Sequence, residues 1–154
     1  MEAFEIERKF LIKKLPEDLE KYECRQLEQG YLCIEPVVRI RRSDDTYTLT
    51  YKGKGLLVRE EYNLPLTKEA YEHLKPKADG VLITKKRYKM PYQNYMIELD
   101  IFEGELAPLQ LAEVEFPTKE EAEAFEAPEW FGEDVTFSGQ YQNSSLSRRH
   151  IAKE

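Results

Sequence analysis

Phe4-Glu5-Ile6-Glu7-Arg8-Lys9-Phe10 sets Phe4, Ile6 and Phe10 on one side of an extended chain and Glu5, Glu7 and Lys9 on the other. Successive side chains alternate across a β-strand, so a period of two reads as a strand with one apolar and one charged face. Arg8 breaks the pattern by sharing the apolar side, and it is expected to reach solvent at an edge.

Working outward, the same period recurs along the chain. Leu27, Gln29 and Tyr31 alternate up to Leu32. Val38 and Ile40 oppose Arg39 and Arg41. After the Asp44-Asp45 turn signal, Tyr47, Leu49 and Tyr51 oppose Thr48, Thr50, Lys52 and Lys54. Gly53 and Gly55 mark a turn, beyond which Tyr62 and Leu64 stand against Arg59, Glu61 and Asn63. From Val81, Leu82, Thr84, Lys86 and Tyr88 oppose Ile83, Lys85, Arg87 and Lys89; this face assignment is less clean than the others. Tyr95, Ile97, Leu99 and Ile101 oppose Glu98 and Asp100. Glu103-Gly104 turns the chain, and Ala112, Val114 and Phe116 then oppose Glu113 and Glu115. Short helices are expected over residues 16–22, over 68–74 behind a Thr67 cap, and from the capping box Thr118-x-x-Glu121 through Phe125. The tail beyond Asp134 shows no clear period.

The polar faces repeat one choice: charged residues in pairs two apart, hence on the same face and roughly 6.5–7 Å from each other. Glu5, Glu7, Glu61, Glu98, Asp100, Glu113 and Glu115 make seven acids; Lys9, Arg39, Arg41, Lys52, Lys54, Arg59, Lys85 and Arg87 make eight bases. Any one pair is explained by a solvated sheet face or by cross-strand ion pairs worth about 0.2–1 kcal/mol. Segregation is harder to explain that way, because whole strands are acidic and others basic. If about eight such strands close into a barrel, the charges converge on one lumen. Carboxylate oxygens there suit Mg²⁺ or Mn²⁺, and guanidinium and ammonium groups suit phosphate oxygens.

The segment Glu5-Ile6-Glu7-Arg8-Lys9 resembles the ExExK signature of the CYTH superfamily, the triphosphate tunnel metalloenzymes. The resemblance continues in order through Gln29-Gly30-Tyr31-Leu32, Arg39-Ile40-Arg41, Thr48-Leu49-Thr50-Tyr51-Lys52-Gly53 and Arg59-Glu60-Glu61. It ends with Lys85-Lys86-Arg87-Tyr88, Ile97-Glu98-Leu99-Asp100-Ile101-Phe102 and Ala112-Glu113-Val114-Glu115-Phe116. The compact bacterial branch, whose members often carry an adenylate-cyclase-like label, is the nearest likeness. It implies a mainly β, α+β fold: one domain over residues 1–154, built as a closed eight-stranded antiparallel barrel with a few peripheral helices.

The resemblance also implies roles. Glu5, Glu7, Glu113 and Glu115 resemble metal-binding carboxylates, with Glu98, Asp100 and Glu61 as further ligands or groups that orient them. Lys9, Arg39, Arg41, Lys52, Lys85 and Arg87 resemble the triphosphate cradle, which Lys54 and Arg59 join on strand parity alone. Tyr31 and Glu61 are the candidates to position or activate an attacking water; filling the tunnel wall would account for Tyr31 equally well. Tyr141, Asn143 and Leu146 resemble the segment that plugs one tunnel end.

The implied reaction is metal-assisted hydrolysis of a triphosphate, inorganic tripolyphosphate first, because little base-recognition equipment is visible. Thiamine or nucleoside triphosphate hydrolysis, and cyclisation of ATP in the manner of a class IV adenylate cyclase, are the alternatives. A non-catalytic polyphosphate-binding module is a further one, with local support from Lys85-Lys86-Arg87-Tyr88-Lys89. No Ser/His/Asp or Cys/His set suggests covalent catalysis, and His73 and His150 read as surface residues. A homodimer is compatible with a small barrel, although no motif requires it.

Composition bounds these readings. The 154 residues carry 23 Lys+Arg against 30 Asp+Glu, a net charge of −7, with ten Tyr and seven Phe to build a core. That acidity argues against nucleic-acid or anionic-membrane partners, and no apolar run approaches the roughly 20 residues of a membrane span. The charge-dense first ten residues lack a signal-peptide core, and Cys24 and Cys33 read as reduced thiols. A cytoplasmic protein is expected. The acidic excess falls outside the charged strands, in 17–23 and 120–134.

Overall fold

The computed structural model describes residues 4–146, except the side chains of Asn143 and Ser144. Its strands are β1 (Phe4–Ile12), β2 (Glu23–Ile34), β3 (Val37–Ser43), β4 (Thr46–Lys52), β5 (Val58–Leu66), β6 (Asp79–Tyr92), β7 (Tyr95–Phe102), β8 (Gln110–Glu115) and β9 (Phe131–Asp134). The helices are α1 (Lys68–Leu74), α2 (Lys119–Ala124) and α3 (Asn143–Leu146). The sheet runs β5-β4-β3-β2-β6-β7-β8-β1-β9, and a second pairing of β1 with β5 closes the first eight strands into a barrel. That closure is short: Phe4, Glu5 and Ile6 face Glu60, Arg59 and Val58.

Register puts every strand's charged face on the same side. Glu7 and Lys9 of β1 face Glu115 and Glu113 of β8, Glu98 faces Glu113 across β7–β8, and Arg87 faces Asp100 across β6–β7. The alternation read from the sequence therefore separates a lumen from an outer shell. Even the uncertain β6 assignment holds, with Ile83, Lys85 and Arg87 buried and Leu82 and Lys86 exposed.

The outer shell is apolar where it is covered. Phe10, Met90, Ile97, Leu99, Ala112 and Val114 are buried beneath Ala122 of α2 and the aromatic rings of Phe116, Phe125 and Phe131. Phe10 and Phe131 stand 4.8 Å apart, and each such buried side chain contributes about 1.5–3 kcal/mol. Thr118 caps α2 by accepting from the Glu121 amide at 3.1 Å, and Thr67 caps α1 by accepting from that of Ala70 at 3.0 Å. Around β5 the face is uncovered among the described residues: Tyr62 is 48% and Leu64 58% exposed.

Three expectations change. Arg8 does not run out to solvent; it donates to the Ala122 and Phe125 carbonyls at 2.9 and 3.2 Å and pairs with Asp134 at 2.7 Å. It thus adds a donor to the Ala122 carbonyl, which already accepts from the Phe125 amide at 3.4 Å, and reaches the Phe125 carbonyl just past the end of α2. The helix expected over 16–22 is a single 3₁₀ turn, Leu19–Lys21, because Asp18 enters it left-handed at φ 60°. Residues 131–134, to which the sequence assigned no element, form β9, paired to β1.

The lumen has an apolar floor at one end. Tyr31, Val37, Ile83, Phe102, Leu106, Leu111, Val135 and Leu146 form one buried cluster, with Leu11 and Tyr141 packed against it. Followed away from this floor, the inward residues turn charged on strand after strand: Phe102, Asp100, Glu98 on β7; Leu111, Glu113, Glu115 on β8; Val37, Arg39, Arg41 on β3. Tyr141 and Leu146 thus stand where the plugging segment was expected; the side chain of Asn143 and the whole of His150 lie outside the described residues, and His73 is exposed. No helix among the described residues is long and apolar enough to cross a membrane.

Candidate active site

Above the floor lies a narrow cavity, open at its mouth, with about 60 Å³ of enclosed free space between the charged side chains. It is lined by Glu5, Glu7, Lys9, Tyr31, Val37, Arg39, Arg41, Lys52, Arg59, Glu61, Arg87, Glu98, Glu113 and Gln142. Twelve of these fourteen were marked as site residues by the sequence. Gln142 was not: it follows the 3₁₀ turn Gly139–Tyr141 in a segment without strand or helix period, and nothing in the sequence points it inward. Val37 belongs to the apolar floor.

Four predicted residues stand elsewhere. Lys54 is exposed and does not line the cavity, because β4 ends at Lys52 and strand parity ends with it. Lys85 and Asp100 are buried in the wall at 0% and 1% exposure, 2.7 Å from each other. Glu115 lies at the exposed end of β8, opposite Glu7.

Arg87 organises the acidic wall. Its guanidinium grips Asp100 through two bonds of 2.7 and 2.8 Å, and meets Glu113 at 3.0 Å and Glu98 at 3.2 Å. Burial works against ionisation of Asp100, yet Arg87 and then Lys85 pull it below its ordinary value. Burial likewise opposes the Glu113 charge, but Lys9 and Arg87 hold its carboxyl well below the usual range. Lys9 bridges wall and plug, meeting Glu113 at 3.3 Å and donating to the Tyr141 carbonyl at 3.0 Å.

The cationic wall is less satisfied. Arg41 donates to Gln29 at 2.8 Å; burial, Arg39 and Arg87 all disfavour its charge and lower it to about 9. Arg39 donates to Thr50 at 3.2 Å, which is held in turn by a 2.6 Å bond to Asn63. The Arg39 Nε is buried with no hydrogen-bond partner among the described residues, and an orphaned buried donor costs about 1–3 kcal/mol. Lys52 reaches Glu5 at 2.9 Å and Glu61 at 3.6 Å. Tyr31 is 2% exposed, at the meeting of floor and cavity.

Carboxylates face one another directly at Glu7–Glu115 and Glu98–Glu113, a pairing that destabilises an ordinary sheet. Burial, followed by Glu113 and Glu5, raises Glu7 well above its ordinary value. Burial and the neighbouring Glu5, Glu61 and Glu98 raise Glu115 to about 7. The crowded hard oxygens are the donor set a divalent cation prefers. In this side-chain arrangement no three of them converge on one point among the described residues, since Glu5 and Glu113 are engaged by lysine. The donors fit a divalent cation in kind and charge.

A pH dependence follows for the metal-free protein. Glu115 titrates near 7 folded and near 4.5 unfolded, so between those values the folded state binds a proton that the unfolded state does not. Stability therefore falls as pH rises through that window, and Glu7 acts in the same direction. Lys85, lowered to about 7 by burial, acts only above that pH. With chelator present, the melting temperature should decline from pH 4.5 towards 7; a flat profile would mean that both carboxyls ionise freely.

Fold and cavity together define a class: closed antiparallel barrels whose lumen sets carboxylates against arginine and lysine. The chain belongs to the CYTH domain family, which matches residues 3–150. An inorganic triphosphatase of Nitrosomonas europaea is 39% identical over 148 residues, 93% of this chain and 96% of that protein. Another, of Acetivibrio thermocellus, is 34% identical over 149 residues, 92% of each. A crystal structure of an inorganic triphosphatase matches with a TM-score of 0.70 at 36% identity, covering 93% of both chains. Triphosphatases of this family are metal-dependent in general.

Proposed function

We propose that the protein, acting as one domain, hydrolyses inorganic tripolyphosphate with Mg²⁺ or Mn²⁺. The observation that carries this reading is the charged cavity with the buried Nε of Arg39, which has no hydrogen-bond partner among the described residues. The curated relatives are named for the same activity. Among the lining residues only Val37 and Tyr31 offer apolar surface, so there is little to hold a nucleobase or a thiazole ring. The donors match phosphate oxygens instead.

In this reading Lys9, Arg39, Arg41, Lys52, Arg59 and Arg87 hold the triphosphate. Lys85 acts indirectly, by fixing Asp100 and through it Arg87. Glu5, Glu7, Glu113 and Glu115 hold the cation, with Glu98 and Glu61 beside them. Bound there, Mg²⁺ or Mn²⁺ supplies Lewis-acid neutralisation of phosphate charge. Glu61 and Tyr31 orient the attacking water, and the basic wall stabilises charge on the leaving phosphate.

A panel of tripolyphosphate, ATP and thiamine triphosphate, each with Mg²⁺ and with Mn²⁺, tests the assignment. Tripolyphosphate should exceed the others in kcat/KM by at least about tenfold, the scale set by leaving binding groups unpaired. Release of cyclic AMP and pyrophosphate from ATP would overturn it in favour of a cyclase.

A further inference from the structure

The lumen is floored by the apolar cluster around Tyr31, Val37 and Leu111, and its mouth lies at the opposite, charged ends of the strands. Gln142 lines the cavity beside Lys9, whose ammonium is tied to the Tyr141 carbonyl, and Leu146 is fully buried behind them. A linear phosphate chain with its end against the floor can lengthen towards the mouth.

At that mouth a second depression continues the first. It shares Arg41, Arg87 and Glu98 with the inner cavity and adds Arg25 of β2 and Lys89 of β6. The register explains the continuity. Arg25 lies directly opposite Arg87 across β2–β6, and Lys89 follows Arg87 by two residues on the same face. Neither base has a part in the inner site. Arg25 has a 2.7 Å partner in exposed Glu23, a surface pair worth little and readily exchanged. Lys89 lies opposite Glu23 and Glu98 in the ladders, and Glu98 is drawn to Arg87 at 3.2 Å.

We infer that Arg25 and Lys89 form an outer anion ledge, which binds the further units of linear polyphosphates longer than tripolyphosphate while the chain end occupies the charged lumen. The ledge rests on the triphosphate reading above, which supplies the occupant of the lumen, and extends it to a substrate class. Its cations are placed to be reached only by an anion that protrudes from the mouth. Tripolyphosphate seated against the floor leaves them in water.

The test is calorimetric titration of metal-free protein with tripolyphosphate and, separately, with medium-chain linear polyphosphate, comparing the natural chain with Arg25→Ala/Lys89→Ala. Both residues are partly exposed strand positions, so the variant should melt like the natural chain. The ledge predicts about tenfold weaker binding of the longer chain, with tripolyphosphate affinity changed less than twofold. The salt dependence of long-chain binding should also become shallower by about 0.7–0.9 in log–log slope per lost contact. Equal losses for both ligands, or no loss for the longer one, would overturn the ledge. Loss confined to the longer chain, in a protein that turns over no tripolyphosphate, would uphold the ledge and sink the hydrolase reading.

Discussion

Replacing Glu5 by Gln is expected to lower turnover of tripolyphosphate about 10²–10³-fold while tightening its binding to metal-free protein. Glu5 is 8% exposed, and its carboxylate is 2.9 Å from the Lys52 ammonium. Gln keeps the shape and an oxygen for Lys52, so the fold should hold and only a charge is lost. With the cation present, that charge is one of the oxygens that would hold it, and removing one preorganised electrostatic group commonly costs 10²–10³ in rate. Without the cation the same carboxylate repels phosphate; at about 5 Å and an effective dielectric near 20 this amounts to a few kcal/mol at most. Tightening of up to about tenfold is therefore expected. The opposed signs make the test decisive, since a merely structural role would weaken both. Glu115→Gln, at the mouth, should behave alike with a smaller change in binding. Unchanged turnover in both variants would remove these two residues from the cation site.

The second large effect is on stability. Arg87→Ala should destabilise the protein by about 3–5 kcal/mol, read as a drop in the urea midpoint without a change of slope. The substitution strips a bidentate partner from Asp100, which is 1% exposed, and a partner from Glu113, which is 6% exposed. Lys85 and Lys9 remain, so both carboxylates keep one cation each but lose half their compensation. A triple variant, Lys85→Met and Arg87→Met with Asp100→Leu, should recover much of the loss, because it removes the buried Lys85 ammonium together with its partner, and apolar side chains of similar volume often replace a buried ion network without penalty. It should recover no activity. A midpoint shift equivalent to less than about 1 kcal/mol for Arg87→Ala would show that the network does not hold the wall.

The strands and their charged faces were legible because strand geometry forces a period of two, and Glu98-Leu99-Asp100 or Glu113-Val114-Glu115 carry it without interruption. Partner choice was not legible. That Arg87 grips Asp100 and also reaches Glu113 depends on the registers of two ladders, which no single strand encodes. Lys54 misled because parity extrapolates past the end of a strand as smoothly as along it. Arg8 looked like an exception on the apolar face because its reason lies far along the chain, in the carbonyls of Ala122 and Phe125. The floor escaped notice for a related reason. Phe102, Leu111 and Val37 each look like ordinary strand ends until the barrel stacks them at one level.

The double life of β1 also governs how the molecule is made. The first strand hydrogen-bonds to β5, to β8 and to β9, whose last residue is Asp134. On a ribosome it emerges first and finds its main partner, β8, only after about a hundred more residues have been synthesised. Until then Glu5, Glu7 and Lys9 stay hydrated and the ring stays open, so barrel closure is a late, long-range event of the kind that slows folding. The site is therefore complete only when β1 meets β8, a strand made about a hundred residues after it.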